Sequence, residues 1–175
     1  MKNLIALTLA ALVLSPAAQA EVTKTKTVET PKGTGTKTVT RDKDAGTFSS
    51  DAAFTRSSDG ATATRSRDRV HTDTGTSGSG SRTGFNGNTG SYQYDRVRSD
   101  DGWTTTGTGT GRGGAAYQYD AYGRKTDTGR ESSRNLTRNG NSIYSRQDSV
   151  IRSDGHVTRN HSVTRAPGFH PKKRR

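Results

Sequence analysis

Ser149-Val150-Ile151-Arg152-Ser153-Asp154-Gly155-His156-Val157-Thr158-Arg159 is the stretch on which the reading of the fold turns. Asp-Gly tolerates positive φ at both central positions of a two-residue turn, the geometry that matches the twist of two antiparallel strands. With Asp154-Gly155 as the turn, Arg152 faces Val157, Ile151 faces Thr158 and Val150 faces Arg159. One face of the hairpin then carries Val150, Arg152, Val157 and Arg159, which mixes charge with apolar groups.

Related spellings recur upstream. Arg56-Ser57-Ser58-Asp59-Gly60 and Arg98-Ser99-Asp100-Asp101-Gly102 resemble Arg152-Ser153-Asp154-Gly155, and Asn139-Gly140 is a further turn pair. Gly60, Gly102, Gly123, Gly140 and Gly155 mark the series, with uneven gaps that read as a degenerate repeat. Between the turns the period is two, as in Thr23-Lys24-Thr25-Lys26-Thr27-Val28 and Thr106-Gly107-Thr108-Gly109-Thr110. Thr is β-branched and suits strands. Both faces of these alternations are polar or glycine, a pattern that specifies strand register weakly. No segment after residue 20 repeats apolar residues at helical spacing.

Composition points the other way. The chain has 175 residues, 26% of them hydrophobic, no Cys, and a formal net charge of +12 from 28 Lys and Arg against 16 Asp and Glu. From residue 21 onward, Val, Ile, Leu and Phe number 15, about a tenth of the segment, in the range where a highly charged chain is expected to stay disordered. A disulfide scaffold, a helical membrane bundle and a thick α/β enzyme core are excluded. The fold expected is therefore mostly disordered and low-complexity, with all-β hairpin repeats forming a thin or single-layer antiparallel sheet.

Met1 to Ala20 (MKNLIALTLAALVLSPAAQA) reads as a signal-peptide helix: Lys2, an apolar Leu4–Leu14 run, Pro16, and Ala18-Gln19-Ala20 before the cut. Secretion or a periplasmic location follows, with cleavage after Ala20. Residues 21–44 read as a basic flexible segment, 45–165 as the Thr/Gly/Ser-rich hairpin region with a flexible linker at 75–91, and 166–175 as a basic disordered tail.

Tyr92-Gln93-Tyr94-Asp95 and Tyr117-Gln118-Tyr119-Asp120 are near-copies, and the second continues Ala121-Tyr122-Gly123-Arg124-Lys125-Thr126. This resembles the YD repeat of RHS-type bacterial surface and toxin-shell proteins, through Tyr117, Tyr119, Asp120, Gly123 and Arg124. The first copy keeps Tyr92, Tyr94 and Asp95 without the Gly-Arg. The resemblance covers residues 92–95 and 117–126 and implies a related hairpin style; there is no whole-chain family resemblance.

Catalytic and cofactor motifs lack their context. Gly109-Thr110-Gly111-Arg112-Gly113-Gly114 has the dinucleotide-binding spelling without the buried strand and following helix that the chemistry requires. His71, His156, His161 and His170 show no metal-ligand spacing. No enzyme activity, cofactor or metal is expected.

Charge is the stronger signal. Nineteen of the cations are Arg, whose planar fork grips phosphate, sulfate and carboxylate and stacks on aromatic rings. Tyr92, Tyr94, Arg96 and Arg98 alternate onto one face of an extended strand, uniting cations with stacking platforms. The expected contact set for an anionic polymer is Tyr92, Tyr94, Arg96, Arg98, Trp103, Tyr117, Tyr119 and Arg124. The partners expected are lipopolysaccharide, acidic polysaccharide or extracellular DNA, with self-association through strand edges. The role that follows is that of an exported bacterial structural or interaction protein; the alternative is an intrinsically disordered cationic secreted effector, antimicrobial or stress-protective, without a fixed site.

Overall fold

The computed structural model describes residues 21–169; the expected signal peptide and the final Lys172-Lys173-Arg174-Arg175 lie outside the described residues. Eleven strands follow one another: β1 (Val22–Thr30), β2 (Gly33–Asp42), β3 (Thr47–Arg56), β4 (Thr62–Thr72), β5 (Gly75–Thr83), β6 (Thr89–Ser99), β7 (Gly102–Thr110), β8 (Ala116–Thr126), β9 (Gly129–Arg138), β10 (Asn141–Ser153) and β11 (His156–Arg165). Each pairs antiparallel with its sequence neighbours in one sheet, ordered β1 to β11. Strands touch only these neighbours, so the sheet is an open single layer whose outer edges are β1 and β11.

The hairpin read from Asp154-Gly155 forms in the expected register: Arg152 opposite Val157, Ile151 opposite Thr158 and Val150 opposite Arg159. Asp154 and Gly155 have φ of 50° and 77°, and Asn139 and Gly140 repeat the geometry at 50° and 82°.

The repeat is more regular than the Asx-Gly pairs imply. Asp73, Asp100, Asp127 and Asp154 stand 27 residues apart, in the turns at one end of the sheet. Gly60, Gly87 and Gly114, all at positive φ, stand 27 apart in the turns at the other end. The repeating unit is one hairpin, two strands and two turns. Gly60 and Gly155 belong to opposite ends, which makes their spacing look uneven. Gly123 belongs to neither, because it lies inside β8.

The expectation of a largely disordered chain is not met. Residues 21–44 form β1, β2 and the start of the next turn, and the expected linker at 75–91 is β5 and the beginning of β6. The composition argument weighs apolar burial against chain entropy, and apolar burial is indeed small: Ala121, 7% exposed, is the buried hydrophobic residue among those described. The sheet is held instead by its backbone ladder and by cross-strand side-chain pairs, each contributing about 0.2–1 kcal/mol.

Glycine explains why the Gly-Ser tract is a strand. Gly78 and Gly80 of β5 stand opposite Tyr94 and Tyr92 of β6, and the rings lie over the bare glycine backbone. A Cβ at Gly78 would come within 2.6 Å of Tyr94 Cε1, and one at Gly80 within 2.8 Å of Tyr92 Cε1. Trp103 covers Gly123 in the same way, its Nε1 2.7 Å from where a Cβ would be. An aromatic ring laid on a cross-strand glycine shields the backbone that glycine exposes.

Candidate functional site

Registers across the eleven strands place every strand residue on one of two faces. Nineteen of the twenty strand Lys and Arg residues share one face with a single acid, Asp148. Eight of the nine strand Phe, Tyr and Trp residues are on that face too. The other face holds thirty-five of the forty strand Ser and Thr residues, seven acids, and one cation, Arg124. We call these the arginine face and the threonine face. A single-residue alternation, kept in phase through ten turns, produces this segregation. The one irregularity, a bulge at Ile143 between Ser142 and Tyr144, adds one residue to β10 and shifts its alternation by one, so that Asn141 before it and Tyr144, Arg146 and Arg152 after it stand on the arginine face.

Seven residues of the expected contact set stand on the arginine face: Tyr92, Tyr94, Arg96, Arg98, Trp103, Tyr117 and Tyr119. Arg124 does not. It lies on the threonine face, donating from Nε to Glu131 Oε1 at 2.6 Å with its guanidinium 5.9 Å from the Tyr122 ring centre. The set therefore does not converge as one surface, and Arg124 leaves it.

The arginine face also includes cations outside that set. Arg65, Arg67 and Arg69 line β4, Arg130, Arg134 and Arg138 line β9, and Arg159 and Arg165 lie on β11. The signal for them was present in the sequence as Arg at every second position, as in Arg65-Ser66-Arg67-Asp68-Arg69.

Charges of one sign meet directly. Arg65 stands opposite Arg82, Arg134 opposite Arg146, Lys125 opposite Arg130, and Lys26 opposite Lys37. Such like-charge pairs are destabilising in a sheet. Among the described residues, two of the nineteen cations on this face have a carboxylate partner. Arg56 holds Asp59 in the adjoining turn, which pulls the Asp59 carboxyl below its usual range and raises Arg56. Arg146 donates to both carboxylate oxygens of Asp148, at 2.6 and 3.0 Å, and His161 Nδ1 lies 2.6 Å from the same group. The Arg146 hydrogen bonds, with help from His161, lower the Asp148 carboxyl to about 2.

Other guanidinium groups lie over rings. Arg96 sits 4.3 Å from the Trp103 ring centre, with its Nε–H buried and without an acceptor among the described residues. Arg41 and Arg69 flank Phe48 from the two neighbouring strands, at 5.4 and 5.5 Å. Cation–ring contact of this kind holds the charge in place without neutralising it.

The threonine face is internally bonded. Hydroxyls pair across strands at Thr23–Thr40 (3.0 Å), Thr55–Thr62 (2.9 Å), Ser66–Ser81 (3.1 Å) and Thr83–Thr89 (3.0 Å). No group of three or more His, Asp or Glu side chains converges among the described residues. No helix among them is long and apolar enough to cross a membrane. Comparison of the chain with known protein families, curated proteins and solved structures returns no match.

Proposed function

We propose that the protein is an exported, non-enzymatic interaction protein of the bacterial cell envelope or extracellular matrix, and that its arginine face binds anionic polymers. The observation that carries the reading is the segregation of charge: nineteen strand cations share one face with a single acid. A solvated basic surface tends to intersperse both signs so that cross-strand neighbours neutralise one another. Here the neutralising acids are on the opposite side of the sheet, and a polyanion laid along the face supplies the missing countercharge. Binding releases the polymer's condensed counterions, so affinity falls steeply with salt. The open edges of β1 and β11 suit side-by-side joining of copies.

The experiment is a salt titration of binding to lipopolysaccharide, an acidic polysaccharide and DNA. Replacing Arg96 and Arg98 by Ala is expected to weaken binding and to lower the slope of log affinity against log salt by about two, one for each guanidinium withdrawn from a phosphate. An unchanged slope removes those residues from the binding surface. An affinity independent of salt overturns the reading as a whole.

A further inference from the structure

We propose that the centre of the arginine face is a binding site for unstacked bases of single-stranded nucleic acid, an inference that rests on the polyanion reading and narrows it. Tyr92 and Tyr94 on β6 and Tyr117 and Tyr119 on β8 stand in two rows on either side of β7. The residues of β7 between them are Gly109, in the row of Tyr92 and Tyr117, and Gly107, in the row of Tyr94 and Tyr119. With no side chain on the middle strand, the rows enclose a groove of about 670 Å³, which Arg65, Arg82, Arg112 and Arg138 also line.

Two of the four rings are laid down on glycine, Tyr94 on Gly78 and Tyr92 on Gly80, while Tyr117 brings its edge to Gly111, where a Cβ would fall 2.9 Å from Cε2. A ring seated by one face on backbone offers its other face to solvent, and Tyr92 remains 43% exposed. This is the geometry of a stacking platform, and stacking on it is open to any base.

Spacing separates a single strand from a duplex. Successive residues on one face of a strand are about 6.7 Å apart, and alternate strands about 9.6 Å apart. Bases stacked in duplex DNA rise by about 3.4 Å and hide their faces from a flat surface. Platforms set about twice as far apart suit bases splayed from an unstacked strand, with the backbone phosphates reaching the arginines around the groove.

Polar side chains separate a nucleic acid from a glycan. A polymer rich in hydroxyls is oriented by amide and carboxylate side chains that accept from them. On β6 to β9 those groups are Gln93, Asp95, Gln118, Asp120, Glu131 and Asn135, and the register puts all of them on the threonine face; Asn141, opposite Arg138 at the margin of the groove, is the amide on the arginine face there. The arginine face presents guanidinium and phenol groups there, matched to phosphate and base.

The test measures binding of the purified full chain to a thymidine oligonucleotide, a duplex of equal charge and a sulfated polysaccharide of equal charge at one salt concentration. The oligonucleotide is expected to bind tightest. Converting Tyr92 and Tyr117 together to Leu is expected to weaken oligonucleotide binding by about tenfold or more while leaving polysaccharide binding within about twofold. The double Phe variant, which keeps the ring faces, should restore it. Equal binding of all three probes, or a Leu variant that weakens all three alike, overturns the inference and leaves the polyanion reading standing. Failure of all three to bind the unaltered protein overturns both. Should the Leu variant not fold, the ring protons of the four tyrosines in the unaltered protein decide. They should move upfield as oligonucleotide is added, and their staying fixed overturns the stacking site.

Discussion

The two faces of this sheet share one backbone and differ in almost everything else. On the threonine face, short hydroxyl side chains satisfy one another across strands, as at Thr23–Thr40 and Ser66–Ser81, and Arg124 has its carboxylate in Glu131. On the arginine face, long cations stand opposite cations, as at Arg65–Arg82 and Arg134–Arg146. The hydroxyls of the threonine face pair within the chain, but its seven acids share the face with one cation, Arg124, so each face keeps an excess of charge, negative on one and positive on the other. The arginine face combines its excess with eight of the nine strand aromatic rings. The lesson is that a coreless sheet still separates its two sides, expressed here as opposite charge.

The largest effect should come from removing cations from the arginine face. Converting Arg65, Arg82 and Arg138 to Gln is expected to lower affinity for a DNA oligonucleotide about a hundredfold at low salt and to reduce the salt slope by about three. Converting Thr106, Thr108 and Thr137 to Gln on the opposite face should change affinity by less than about twofold. A salt titration of both triple variants checks the pair. Equal losses would mean that disturbance of the sheet, and not removal of the guanidinium groups, governs the change in binding.

Next in size is a contrast between adjacent residues of β5. Gly78 lies under the Tyr94 ring, where a Cβ would be 2.6 Å from Cε1 and 2.8 Å from Cζ. Ser79 points to the threonine face opposite Asp68 and Gln93. Gly78→Val should lift the ring and cost about 1–3 kcal/mol, whereas Ser79→Val should be nearly neutral or stabilising, since Val favours strands. Chemical unfolding of both variants measures this. A mild Gly78→Val would mean that the ring lies there by chance and does not shield the backbone.

This contrast also shows where the sequence was legible. The Asp154-Gly155 turn set its register because turn chemistry is local: two residues with positive φ align every pair that follows. The tract from Gly75 to Ser91 was opaque because its glycines acquire meaning only from Tyr92 and Tyr94 on the following strand. Composition alone reads it as a linker. Arg124 was grouped with Tyr117 and Tyr119 because it follows them in a motif, although its odd spacing from them places it on the other side of the sheet. Parity read through the turns, from Arg65-Ser66-Arg67 onward, carries the site better than motif membership does.

A smaller effect concerns the one acid on the arginine face. Asp148 is held at about 2 by the Arg146 hydrogen bonds and by His161, against an ordinary 3.8. A carboxyl whose folded value is depressed contributes stability that is full above its unfolded value and is lost as pH falls through the folded one. Asp148 should therefore support the sheet above about pH 4 and lose that role between about pH 4 and pH 2. Discounted for partial exposure, its contribution is about 1 kcal/mol. Asp148→Asn should lower the melting temperature by about 2–4 °C at neutral pH and by much less at pH 2. A difference that persists at pH 2 would point to packing and away from ionisation.

The smallest predicted effect has the most informative sign. Arg65 and Arg82 oppose each other directly, and the acids nearest in sequence, Asp59 and Asp68, are engaged in a turn and placed on the other face respectively. Removing one cation relieves the repulsion, and Thr is a better strand residue than Arg at an open position. Arg65→Thr should accordingly stabilise the sheet by about 0.5 kcal/mol in low salt, with the gain fading in high salt as the pair is screened. The same change should weaken polyanion binding. A variant that folds better and binds worse would show that the like-charge pair serves contact with a partner at the expense of stability. A destabilised Arg65→Thr would instead make the guanidinium part of what holds β4 to β5, and the arginine face would then be structural before it is anything else.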